Sequence, residues 1–160
     1  MDVRDAEESE VEHLARVWYD AWQDAHAAIL PAELARLRTP RSFEDRLRET
    51  LPYLRAAGPV GTPVAFCIVK DDQLYQLYVT AEARGTGIAA ALVADAEERL
   101  AQSGVDKAWL SCAIGNERAA RFYEKCGWQR KGVVTDILET TNGKFPLDVW
   151  RYEKSLVRGR

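Results

Sequence analysis

The feature that most constrains this chain is a strand that runs through a glycine turn into a long helix. Gln73 to Val79 reads as a strand, with Leu74, Tyr75, Leu77, Tyr78 and Val79 supplying β-forming side chains. A short loop leads to Arg84-Gly85-Thr86-Gly87. From Ile88 to Ser103 the apolar residues Ile88, Leu92, Ala96 and Leu100 recur every four positions, and Gly104 follows as a stop. At a helix N-terminus the first N–H groups have no intrahelical partner, and the helix dipole favours negative charge there. Glycines let an anion approach the backbone, and Arg84 adds a cation, so the turn suits a pyrophosphate. Taken alone, an isolated G-x-G more often does no more than start a helix. A P-loop is excluded, because no Lys-Ser or Lys-Thr follows the turn. Gly85-x-Gly87-x-x-Ala90 matches the dinucleotide fingerprint, but its acidic residue belongs at the far end of the next strand. Asp106 has the spacing and lies at the wrong end, before the strand Ala108–Cys112.

The rest of the chain supplies further elements of both kinds. Met1 to Arg4 reads as a short first strand, and Ser9 to Glu12 as a capping box. Val11, Leu14, Ala15, Trp18, Trp22 and Ala25 mark an amphipathic helix that should end near Leu30-Pro31. Phe43, Leu47, Leu51 and Leu54 keep helical spacing, while Pro40 and Pro52 divide residues 32–57 into two short helices. Val64 to Val69 is a strand joined to Gln73–Val79 by an Asp71-Asp72 turn. Asn116 to Cys126 is a helix, capped by Asn116 and ended by Gly127. Trp128–Val134 and Val149–Lys154 are the last strands, with a loop or hairpin tip around Asn142-Gly143 and Pro146 between them.

Composition bounds the function. The 160 residues are 47% hydrophobic and 29% charged, as in one soluble domain. A formal net charge of −3 argues against a strongly basic nucleic-acid surface. Residues 1–10 are acidic and hold no apolar run, and no stretch reaches the ~20 apolar residues of a membrane span. Neither nucleic acid nor a membrane is therefore an expected partner. Cys67, Cys112 and Cys126 are odd in number and lack a metal-ligand spacing, and the only histidines are His13 and His26. Buried reduced thiols, no metal and a cytoplasmic location are the expectation.

Two stretches together resemble the GNAT acetyltransferase superfamily. Arg84-Gly85-Thr86-Gly87-Ile88-Ala89 is similar to its [QR]-x-x-G-x-[GA] motif. Asn116-Glu117-Arg118-Ala119-Ala120-Arg121-Phe122-Tyr123-Glu124-Lys125-Cys126-Gly127-Trp128 is similar to its N-x-x-A-x-x-[FL]-Y-x-x-x-G-[FW] motif. The resemblance covers residues 62–154 and is weak over the N-terminal helices. It implies an α/β fold with a mixed, mostly antiparallel central sheet flanked by helices, in a single domain over residues 1–160. It implies transfer of an acetyl group from acetyl-CoA to a primary amine, by direct attack in a ternary complex and with no metal.

Roles follow by position. Leu77, Tyr78 and Val79 would pair with the pantetheine arm like an added strand. Backbone amides across Gly85, Thr86, Gly87, Ile88 and Ala89, with Arg84, would hold the pyrophosphate. Asn116 would hydrogen-bond the arm, Ala119 and Phe122 would pack on it, and Tyr123 would protonate the leaving thiolate. The Val79 N–H is a candidate oxyanion donor. Many relatives carry a glutamate base where this chain has Gln76. Glu82 and Asp136 are the replacement candidates, and the base stays unassigned. Trp22 and His26, four residues apart, are the candidates for contact with a small-molecule or peptide amine, against a core stripe ending in a solvated histidine. A homodimer is left open. The competing expectation is a non-catalytic acyl-CoA-binding sensor or structural module of the same fold.

Overall fold

The computed structural model describes residues 2–156, so the Met1 end of the expected first strand lies outside the described residues. Seven strands among them form one sheet. They are β1 (Val3–Asp5), β2 (Leu54–Ala57), β3 (Ala65–Lys70), β4 (Gln73–Val79), β5 (Lys107–Ala113), β6 (Gln129–Thr140) and β7 (Gly143–Ser155), in the spatial order β1-β2-β3-β4-β5-β7-β6. Only β4 and β5 are parallel neighbours, so the sheet is mixed and mostly antiparallel. The helices are α1 (Val11–His26), α2 (Ala32–Leu37), α3 (Pro40–Glu49), α4 (Ile88–Gln102) and α5 (Glu117–Lys125). None is long and apolar enough to cross a membrane.

The sheet separates two cores. On one face Trp18 of α1 stacks on Phe43 of α3 and meets Phe66 of β3, with ring centroids 4.6 and 5.3 Å apart. On the other face Leu92, Ala96 and Leu100 of α4 pack with Leu74, Leu110, Tyr123 and Trp128. Cys67 and Cys112 are buried in this second core, and burial pushes both thiols up to about 12, which keeps them protonated.

Tertiary pairing overrode several local signals. Leu54, counted as helical by its spacing, lies in β2 and pairs with Ile68 of β3. Pro52 sits in a 3-10 turn, and Pro40 opens α3, where its missing N–H costs nothing. α1 stops at His26, not near Pro31, and beyond it the N–H groups of Ile29 and Leu30 fold back onto the His26 carbonyl at 3.0 and 2.9 Å. The last two strands are longer than expected and meet at an Asn142-Gly143 tip. Pro146 is tolerated inside β7 because there β7 has run past the end of β5 and has a neighbour on one side only. β4 carries a bulge. Ile68 faces Gln76 while Val69 faces Leu74, which leaves Tyr75 as an extra residue. Leu74 and Leu77 therefore share the α4 face, and Tyr75 and Tyr78 share the α1 face.

The expected capping box at Ser9–Glu12 does not form. Glu10 is engaged elsewhere, and no side chain caps α1. The fully buried Glu10 carboxylate accepts two bonds from Arg4, at 2.9 and 2.8 Å, and one each from the Glu7 and Gly61 N–H groups, both at 2.9 Å. One side chain thus ties β1, the start of α1 and the β2–β3 loop together. These bonds, above all the one from Arg4, lower its pKa from an ordinary 4.5 to about 2. The unfolded chain takes up this proton first, so the stabilisation is complete above pH 4.5 and is lost as pH falls through about 2. It amounts to roughly 3 kcal/mol. Glu10→Gln should lower the melting temperature at pH 7 and flatten the loss of stability between pH 4.5 and 2. Thermal melts across that range check this, and a variant with the wild-type acid slope would refute it.

Candidate active site

β4 and β5 touch at one register point, Gln73 opposite Trp109, and then diverge. The Thr80 N–H donates to the Val64 carbonyl at 2.9 Å, on the β3 side. Backbone groups alternate along a strand, so those of Leu77 and Val79 face the gap. Three openings line this gap. The first, of about 350 Å³, lies between Leu77–Val79, the glycine turn and α5. The second, of about 410 Å³, lies on the α1 face and includes Trp18, Trp22, His26, Gln76 and Asp136. A small third space of about 70 Å³ joins them, sharing Leu77, Asn116, Ala119 and Tyr123 with the first and His26, Gln76 and Ser111 with the second.

Gly85 and Gly87 have φ of +78° and +89°, a left-handed conformation that glycine adopts freely, and a Cβ on either would meet only open space. The first intrahelical bond of α4 runs from the Ala91 N–H to the Gly87 carbonyl at 3.1 Å. The N–H groups of Ile88, Ala89 and Ala90 are thus free of helix partners and point out of the helix end. Arg84 donates to Asp24 of α1 at 2.7 Å, and Arg118 of α5 reaches the same carboxylate at 3.5 Å. This ion-paired group borders the first cavity through both arginines.

Asn116 caps α5 by accepting from the Ala119 N–H at 3.2 Å. Its amide nitrogen is then left to face the His26 Nε2, 3.4 Å away. This bond makes Nε2 an acceptor and places the imidazole proton on Nδ1, which is buried without a partner among the described residues. Burial, with the charge of Arg118, pushes His26 down to about 4. Tyr123 is held between Phe122, Trp128 and Tyr152, and burial raises its pKa well above 10, so its hydroxyl keeps its proton.

The sequence pattern of the Acetyltransferase (GNAT) family matches residues 11–128. The chain belongs to the GNAT acetyltransferase family. It is an acyltransferase by that membership. An uncharacterized N-acetyltransferase of Mycobacterium tuberculosis is 38% identical over 112 residues, which cover 68% of this chain and 70% of that protein. In three dimensions the fold is similar to an N-acetyltransferase of Rhodopseudomonas palustris, with a TM-score of 0.75, 20% identity and coverage of 96% of this chain and 94% of that one. It is also similar to the PaiA N-acetyltransferase of Thermoplasma acidophilum in complex with coenzyme A, with a TM-score of 0.68, 18% identity and coverage of 96% and 98%.

Within this GNAT fold, most residues singled out in the sequence come together. Leu77, Tyr78, Val79, Arg84, Gly85, Gly87, Ala89, Asn116, Ala119, Phe122 and Tyr123 line the first cavity. Thr86 and Ile88 do not, since Thr86 turns its hydroxyl onto the Ala83 carbonyl and Ile88 is buried in the core. Trp22 and His26 line the second cavity, and His26 is buried, not solvated. Asp136 also lines it and accepts from the Ser111 hydroxyl at 3.0 Å, whereas Glu82 lines none of the three spaces. The sequence reading missed Ala21 and Ala25, one helical turn apart on α1, which close the first cavity. Their spacing and small size were the available signal. It also missed Arg38 and Arg46 of the second cavity, for which the pattern held no cue.

An ordinary imidazole takes its proton near pH ~6.5, while His26 should do so only near pH 4. The unfolded chain therefore binds this proton first, and the contribution of His26 to stability falls as pH drops from about 6.5 toward 4. The His26 ring resonances should stay those of a neutral imidazole from pH 7.5 to 5.5, as NMR on the folded protein will show. Titration near the ordinary value would mean that the ring is solvated.

Proposed function

We propose that this acyltransferase moves an acetyl group from acetyl-CoA to a primary amine in a ternary complex, as one domain. The observation that carries the reading is the pair of cavities joined through the diverging β4–β5 gap, with Tyr123 in both the first cavity and the junction. The coenzyme enters from the glycine turn and the amine from the α1 face. The coenzyme A held by the Thermoplasma structure supports this assignment.

The first cavity has the donors that acetyl-CoA requires. Free N–H groups at the start of α4, two positive-φ glycines and the cations Arg84 and Arg118 suit a pyrophosphate. The open edge at Leu77 and Val79 suits the amides of a pantetheine arm. Acetyl-CoA supplies an acetyl group activated as a thioester. The amine forms a C–N bond, the C–S bond breaks, the nitrogen gives up a proton and the sulfur gains one. The Val79 N–H, pointing into the gap, donates to the carbonyl oxygen as charge builds there. Asp136, reached through Ser111 at the junction, accepts the amine proton. Tyr123 donates to the sulfur. The dry surroundings that keep its phenol protonated also destabilise a thiolate beside it, which favours the transfer.

Gly87→Glu should abolish coenzyme A binding in a folded protein. The positive φ would cost about 1–2 kcal/mol for a side chain, and the carboxylate would fill the open space and repel phosphate. Calorimetry showing wild-type affinity in the folded variant would remove the glycine turn from the site. Tyr123→Phe keeps the ring and removes only the proton donor. General-acid steps contribute typically ~10²–10⁴-fold, and a loss near ~10² is expected because water substitutes in part. The loss should fall on kcat and kcat/KM alike, with coenzyme affinity retained. Single-turnover kinetics decide the point, and a wild-type rate would leave Tyr123 a packing residue.

A further inference from the structure

Arg38, at the end of α2, and Arg46, on α3, form one wall of the 410 Å³ cavity. Arg38 is only 4% exposed, and its one side-chain hydrogen bond among the described residues runs from Nη1 to the Glu139 carbonyl at 3.0 Å. Arg46 donates to the Tyr75 hydroxyl at 3.0 Å and lies over the Trp18 ring at 4.4 Å. No carboxylate among the described residues is within 4.0 Å of either guanidinium. Four acids line the cavity, and all but Asp71, which is not within 4.0 Å of either guanidinium, are engaged with other groups. Asp72 accepts from the Trp109 Nε1 at 2.9 Å, Asp136 from Ser111 at 3.0 Å, and Glu139 from Lys144 at 2.6 Å.

Folding gains little by burying a guanidinium without a counter-charge, and less by setting a second one near it. Burial, followed by the charge of Arg46, depresses Arg38 to about 10. An anion between the two would offset both costs, and the planar guanidinium suits a carboxylate in particular. Tyr75 and Tyr78 line both this cavity and the junction, where the amine must sit, and the Tyr75 hydroxyl is itself bonded to Arg46. Both arginines also border a second groove of about 700 Å³, so a longer acceptor extends past them.

We propose that Arg38 and Arg46 bind a free carboxylate of the acceptor, so that the amine acetylated belongs to an amino acid or to a compound with the same pairing of groups. This assignment rests on the acetyl-transfer reading. Its test compares acetyl-CoA-dependent acetylation of phenylalanine, tryptophan and lysine with that of their carboxamides. The carboxamides hold more neutral amine at pH 7.5, so intrinsic reactivity favours them, and a preference for the acids must come from the site. The acids should show kcat/KM higher by about tenfold or more. Arg46→Gln should bring the ratio toward one while the KM for acetyl-CoA stays in place. Arg38→Gln should do the same if it folds, and the wild-type comparison stands without it. Equal use of acids and carboxamides would overturn the assignment, as would a preference that survives Arg46→Gln. If no amine reacts, calorimetry of coenzyme A-loaded protein with N-acetylphenylalanine and its carboxamide decides. Carboxylate-selective binding would then keep the subsite and count against acetyl transfer, while equal or absent binding would overturn the subsite.

Discussion

The single parallel contact between β4 and β5 governs the rest of this structure. Parallel neighbours normally continue their ladder for the length of the shorter strand. Here the ladder holds at Gln73 and Trp109 and then opens, because each strand is committed on its other side. β4 is paired to β3 along its whole length, and β5 to β7 from Lys107 to Ala113. Two antiparallel halves each keep their own twist, and the gap between them is the cost of joining them. That gap leaves backbone groups of Leu77 and Val79 without a strand partner among the described residues. Unpaired backbone groups are tolerated only where solvent or a ligand can reach them, so the topology creates a place for a ligand with amide groups of its own.

The bulge at Tyr75 completes the arrangement. Without it, alternation would send Tyr78 and Tyr75 to opposite faces of the sheet. With it, both rings line the α1 side, and Leu74 and Leu77 both bury against α4. One inserted residue therefore serves packing on one face and gives the other face an aromatic cavity wall. α5 adds Tyr123 and Asn116 from the far side of the gap, so the junction is assembled from elements distant in sequence. The Asn116 amide is the hinge of that assembly, since it closes the end of α5 and fixes the His26 tautomer on α1.

Much of this was legible in the residues, and what was not has physical reasons. The glycine turn, the Asn116 cap and the hairpin at Asp71-Asp72 are local devices, and local devices can be read from sequence. Leu54 kept helical spacing with Leu47 and Leu51, yet its partners are Ile68 and the α1–α3 core, which no local pattern encodes. The Ser9–Glu12 capping box failed because Ser9 lies inside a 3-10 turn, Glu8–Glu10, whose box is made by Glu7 and Glu10, and Glu10 is fixed there by Arg4 and by Gly61, the latter 51 positions away. β6 and β7 looked short because Asn142-Gly143 and Pro146 read as loop residues, whereas Leu138, Phe145 and Leu147 pack their distal halves against the α1–α3 core, a contact that no local pattern encodes. Arg38 and Arg46 were invisible as a pair, because an arginine with no counter-charge looks in sequence like any other surface arginine.

The outer position of β6 has a consequence for the behaviour of the protein in concentrated solution. β6 is twelve residues long, has a neighbour on one side only, and exposes Val133, Val134 and Ile137. A long open edge with apolar side chains invites a strand from another molecule. Here the ladder with β7 is broken between Arg130 and Gly132, so that Lys131 is an extra residue that kinks the strand and sets a cation on its rim. The surplus lysine thus blunts one end of the outermost strand against a second chain.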